Sequence, residues 1–154
     1  KVEDIFFSGT FGGETLSLAA ASAIIDKYKK LDVIEHIFEV GSYLINQLNK
    51  LIQENELTDI FWVSGHPSWS FLNIKEQQRY NTFQRKTYFL QEVFKRGFLT
   101  TGSHNISFSH SKQKIDSLIM CYAEVLPKVK KHIQENSLLE NIHGDILQPL
   151  FKVR

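Results

Sequence analysis

Residues 6–21 read Phe6-Phe7-Ser8-Gly9-Thr10-Phe11-Gly12-Gly13-Glu14-Thr15-Leu16-Ser17-Leu18-Ala19-Ala20-Ala21, a glycine-dotted aromatic stretch running into an alanine-rich one. Small residues let backbone N–H groups approach a phosphate closely, and the helix start beyond them adds a favourable dipole. The Thr10 hydroxyl can donate to a phosphate oxygen. The spacing is not that of a P-loop, because no Gly-Lys-Ser/Thr follows, nor that of a dinucleotide fingerprint. Taken alone, such a loop more often only caps a helix, and Glu14 puts negative charge where an anion would sit. From Glu14 to Ile25 the side chains have high helix propensity and are small or apolar on nearly every side. That predicts a helix packed on more than one face, with neighbours the short chain does not supply.

Outward from this segment, Ile5-Phe6-Phe7 reads as a short buried strand. On the other side, Ile34, Ile37, Phe38, Gly41, Leu44, Ile45, Leu48, Leu51 and Ile52 hold helical spacing over five turns, with Asp32 and Glu35 as a start signal. Gly41 lies on the apolar stripe, where glycine costs about 1 kcal/mol relative to alanine, so close approach of another backbone is expected there. Residues 59–63 and 69–74 read as a hairpin around the turn Ser64-Gly65-His66-Pro67-Ser68. A third helix carries Phe83, Thr87, Leu90 and Phe94 on one face and stops at Gly97. Phe98-Leu99-Thr100 and residues 105–109 read as short strands. A last helix bears Ile115, Leu118, Ile119, Tyr122, Leu126 and Val129, with Pro127 expected to kink it. The tail 136–154 reads as one short helix plus loosely attached chain. Together this is α+β: a long helix, then a small, mainly antiparallel sheet with helices on one face.

Composition narrows the function classes. The 154 residues are 42% hydrophobic and 23% charged with a formal net charge of +1, which suits one globular domain and leaves no electrostatic footprint for nucleic acid or a membrane surface. No apolar run approaches the roughly 20 residues that cross a bilayer, and no signal-peptide pattern is present. The single cysteine, Cys121, suits a reducing, cytoplasmic setting. The sole methionine is Met120, so the chain starts at Lys1 without an initiator, as the tail of a longer protein would.

The segment 6–21 resembles the stretch after the Schiff-base lysine in class III pyridoxal-phosphate (PLP)-dependent aminotransferases, nearest the glutamate-1-semialdehyde aminomutase branch. The order of later features is similar too: Gly41-Ser42-Tyr43-Leu44, the aromatic strand Trp69 to Asn73, Lys95-Arg96-Gly97, the loop Phe98 to His104, and Ile106-Ser107-Phe108-Ser109-His110-Ser111 before Ile115-Asp116. The resemblance covers about residues 1–130. It implies the C-terminal small domain of a fold-type I PLP enzyme, with residues 1–14 ending a large-domain cofactor loop, 15–56 as linking helices, 57–135 as the small domain and 136–154 as a tail. It further implies a homodimer, in which Thr10, with the Gly9 backbone beside it, contacts the PLP phosphate in the partner subunit's active site. An amino acid or amino-aldehyde is the implied substrate. The Schiff-base lysine, the pyridine-pairing aspartate and the ring-stacking aromatic fall upstream of the match, so the 154-residue piece holds no catalytic residue and is inactive alone. Two positions depart from the pattern: Glu14-Thr15 replaces an Asn-Pro pair, and His104-Asn105 stands where the aminomutase branch carries a glutamate.

Other candidates read more blandly. Six histidines (36, 66, 104, 110, 132, 143) match no zinc spacing, so no metal is expected. His104 and His110 read as structural or solvated, with substrate contact as the alternative. Cys121 reads as a buried, inert thiol, Trp62 and Trp69 as core, and the basic runs 27–30 and 128–131 as solvated charge near helix ends. A free-standing, non-catalytic α+β interaction module, its glycine loop merely capping a helix, is the competing reading of the whole chain.

Overall fold

The computed structural model describes residues 9–76 and 78–149. In chain order they form α1 (Thr15–Lys30), α2 (Val33–Glu54), β1 (Phe61–His66), β2 (Trp69–Ile74), α3 (Thr82–Lys95), β3 (Ser103–Asn105), α4 (Lys112–Gln134) and a 3-10 turn at Leu139–Asn141. The strand expected at Ile5-Phe6-Phe7 lies outside the described residues. The chain divides between Glu35 and His36 into two compact units.

In the first unit, none of the sixteen residues of α1 is buried. Leu16, Ile24, Ile25 and Tyr28 all stand more than half exposed. An apolar helix left bare is costly in water.

The second unit is α+β. Its three antiparallel strands lie in the order β1-β2-β3, with α3 packed on α4 and against β2. The α2 residues Val40, Leu44, Leu48 and Ile52 are buried in one cluster with Phe61, Leu72, Phe89, Tyr122, Val125 and Val129. Each such side chain contributes about 1.5–3 kcal/mol relative to an exposed one. The stripe is rotated from the one expected: Ile34 and Phe38 are exposed.

Gly41 is where the close approach occurs. A methyl group built on it would fall on the Pro67 carbonyl, with even the Pro67 Cα only 2.9 Å away. The hairpin turn therefore rests directly on the α2 backbone. The turn is shorter than expected. Pairing runs from Phe61↔Ile74 to His66↔Trp69, which leaves Pro67-Ser68 as a two-residue loop and makes Gly65 part of β1. Residues Asp59 and Ile60 are not strand, because Ile60 and Phe61 both donate to the Leu57 carbonyl in a turn.

This register overturns the core placement of the two tryptophans. Phe61, Val63, Ser70, Leu72 and His104 point inward, so alternation sends Trp62, Trp69, Phe71 and Asn73 to the other face. Trp62 and Trp69 are 47% and 56% exposed. The Trp69 Nε1–H donates to Ser103 Oγ at 3.0 Å, and its ring lies 5.4 Å from that of Phe71.

Helix α3 starts on a capping box, Asn81 with Gln84, and ends before Gly97 as expected. Of its expected face Leu90 is buried but Phe83 and Phe94 are exposed, and Arg85, Tyr88, Phe89, Glu92 and Val93 are buried with it. The Arg85 guanidinium donates to the carbonyls of Lys75 and Tyr80, holding the loop before α3. Glu92 lies 2.8 Å from Lys95, 3.1 Å from Arg96 and 3.8 Å from Lys128. Its charge thus ties α3 to α4. The segment Phe98–Thr100 is loop and only Ser103–Asn105 is strand, so the two strands expected there reduce to one. Helix α4 continues unbroken through Pro127. Lys130 in the basic run is not simply solvated, since it donates to the Asn55 carbonyl at 3.2 Å.

The tail is anchored rather than loose. Leu138 is fully buried. Beyond it, the His143 N–H donates to Gln91 Oε1 at 2.6 Å and the Leu147 N–H to Thr87 Oγ1 at 3.0 Å, both on α3.

Candidate functional site

Residues 9–13 form a turn closed by Gly12 N–H donating to the Gly9 carbonyl and Glu14 N–H donating to that of Phe11, each at 3.1 Å. Gly9 and Thr10 are exposed. A Cβ added at Gly9 or Gly13 would meet nothing within 4 Å, so the glycines leave the approach to Thr10 open instead of packing. The Thr10 hydroxyl has no hydrogen-bond partner among the described residues. It can donate a hydrogen bond to an anionic oxygen without giving up another.

The helix end beside it is already filled. The Glu14 carboxylate accepts from the N–H groups of Leu16 and Ser17 at 2.8 and 2.7 Å, and from Ser17 Oγ at 2.5 Å. The Ser17 hydroxyl, with the Ser17 and Leu16 N–H groups, holds the Glu14 carboxyl below its usual range. An internal anion therefore takes the dipole that the sequence offered to a phosphate. What remains for a ligand is the Thr10 hydroxyl and loop backbone, enough for a contact to a phosphate but not for a complete cradle. Within residues 9–13 no side chain can exchange a proton near neutral pH, so this loop supplies no acid–base group.

The second place singled out by the sequence, residues 98–110, divides sharply. His104 is 5% exposed. Its Nδ1 lies 3.2 Å from Ser70 Oγ and its Nε2 3.0 Å from the Tyr122 hydroxyl. With both nitrogens satisfied inside the fold, it is a structural histidine. Burial lowers its pKa from 6.5 to about 4 and pushes the Tyr122 phenol upward. The unfolded chain takes up this proton below pH 6.5 while the native ring refuses it until about 4. Stability is thus expected to fall by up to about 3 kcal/mol across that window, with an NMR titration of the His104 ring moving only near pH 4. A ring midpoint above 6 would show solvent access that the fold denies.

His110 is also structural: its Nδ1 accepts the Ser107 N–H at 2.9 Å, and its carbonyl lies 3.0 Å from His36 Nε2. Cys121 is buried, with its thiol pushed upward by burial. Among the described residues, no three His, Cys, Asp or Glu side chains are grouped to hold a metal, and no helix is long and apolar enough to cross a membrane. The Ser70–His104–Tyr122 chain left no trace in spacing that could have revealed it.

No protein family and no curated protein sequence matches this chain. The FumI protein of Sphingopyxis sp. MTA144, in a structure of its PLP internal aldimine form, shares the fold with a TM-score of 0.69 at 16% identity. The likeness covers 86% of this chain and 31% of FumI, so the chain spans about a third of that neighbour's length.

Proposed function

We propose that this chain is the C-terminal part of a homodimeric, cytoplasmic PLP-dependent class III aminotransferase or aminomutase acting on an amino acid or amino-aldehyde. The observation that carries the reading is the bareness of the first unit: an open threonine loop and an apolar helix without cover, on a chain whose fold also occurs in a PLP-bearing protein. When bound, PLP supplies the electron sink for a carbanion at the amino-bearing carbon. The Thr10 hydroxyl donates to a phosphate oxygen of the partner subunit's cofactor, and the Gly9 backbone lies against it. The exposed side of α1 covers apolar surface at the subunit interface. The loop before β3 shapes the substrate entrance. No residue of this chain moves the proton in that scheme, so the piece alone is inactive.

Binding of PLP to the full-length parent tests this. A hydrogen bond to a charged partner is worth about 1.5–3 kcal/mol. Thr10→Ala is therefore expected to weaken PLP binding about tenfold or more, read from cofactor release on dilution, with Thr10→Ser close to the parent. An unchanged PLP affinity in Thr10→Ala overturns the assignment of this loop.

A further inference from the structure

The geometry points to a small-molecule site in the second unit, a cleft between residues 98–106 and the first turns of α4 that takes an amphipathic monocarboxylate. The cleft is about 540 Å³, within the range of ligand pockets. Its apolar wall is Leu44, Phe98, Ile106, Ile115 and Leu118. No aspartate or glutamate lines it, whereas Lys114 does. The Lys114 Nζ spends one donor on the Ser109 carbonyl at 3.0 Å and keeps two. The other ionisable groups on the lining, His104 and His110, carry no negative charge. His104 is committed on both nitrogens. His110 accepts the Ser107 N–H at Nδ1, which leaves Nε2 as the ring's donor in the neutral form. The nearest carboxylate along α4, Asp116, accepts the Tyr43 hydroxyl at 2.6 Å and is not on the lining.

A cleft with an apolar wall, hydrogen-bond donors and one ammonium, but no carboxylate, selects an apolar body with a single anionic head. A cation of the same shape meets no carboxylate there and faces Lys114. The inference does not depend on PLP or on Thr10, since every residue it uses belongs to the second unit.

Titration of the ¹⁵N-labelled 154-residue chain with sodium octanoate, followed by amide shifts, tests it. Saturable shifts are expected within residues 98–106 and 114–118, with octylammonium at least tenfold weaker. Lys114→Gln is expected to weaken octanoate about tenfold while leaving octanol unchanged. Ser117→Leu, which places an isobutyl group on the lining at an exposed helix position, is expected to abolish all three. Equal binding of octanoate and octylammonium, or shifts confined to α1, overturns the proposal. So does octanoate affinity that survives Ser117→Leu in a chain with an unaltered circular dichroism spectrum. Should either variant lose its helical signal, the octanoate–octylammonium comparison on the unsubstituted chain decides.

Discussion

Gly41→Ala is expected to destabilise the second unit by about 3 kcal/mol, at the upper end of overpacking costs. On propensity alone, alanine in mid-helix would stabilise by about 1 kcal/mol, so the two accounts differ in sign. The expected loss arises because the added methyl meets backbone, the Pro67 carbonyl and Cα, and not a side chain that could turn away. Relief requires lifting the hairpin turn off α2. The two-residue loop gives that turn little slack, because His66 and Trp69 are already paired across it. Gly65 reinforces the point: it has a φ of 98°, and a Cβ there would sit 3.0 Å from the Ser70 Cα. Thermal unfolding should show a midpoint lower by about 10 °C, against no change for Gly13→Ala, where the added methyl meets nothing. A stabilised Gly41→Ala would mean that the turn does not rest on the helix.

Glu92→Gln is expected to cost about 2–3 kcal/mol at pH 7 and only a small fraction of that at pH 2. Burial pushes the Glu92 carboxyl upward, but hydrogen bonds and charge from Lys95 and Arg96 outweigh it and bring the pKa from 4.5 to about 2. At about 1.36 kcal/mol per unit, that is an upper bound near 3 kcal/mol, lessened by the partly solvated Lys95 and Lys128. A carboxyl depressed in the folded state stabilises above its unfolded pKa, and the gain disappears as pH falls through the folded one. The difference between wild type and Glu92→Gln should therefore close between about pH 4.5 and 2. Urea unfolding across that range checks it. A gap that persists unchanged at pH 2 would assign the loss to shape and not to charge. His104 acts in the adjoining window, from 6.5 to about 4, so the protein is expected to lose stability in two successive acid steps.

The capping box at Asn81 and the Ser111 cap lie where polar residues precede helical runs, and α2 and α4 follow from apolar spacing that the chain carries locally. Gly41 was legible for the same reason: a glycine on an apolar stripe breaks the local rule, and a backbone contact accounts for the break. Thr10 could be named from its loop, and its exposure follows from glycines that fill no space. The loss of the helix end to Glu14 was half legible, since the charge was visible but its reach to Leu16 and Ser17 was not. The inward faces of α3 and of the hairpin were not legible. Phe83, Phe94, Trp62 and Trp69 have the apolar character of core residues, yet Arg85, Glu92, Ser70 and His104 lie in the interior beside Phe61, Leu72, Phe89 and Val93.

Local order thus determined the helices and the hairpin, because propensity, capping and period act between near neighbours, while the short edge strand β3 and the start of β1 depended on pairing across the sheet. Which face turns inward was decided by the tertiary structure. A buried charge or imidazole is tolerated only beside partners: Glu92 has Lys95 and Arg96 on its own helix and Lys128 from α4, and His104 has Ser70 and Tyr122 brought from distant segments.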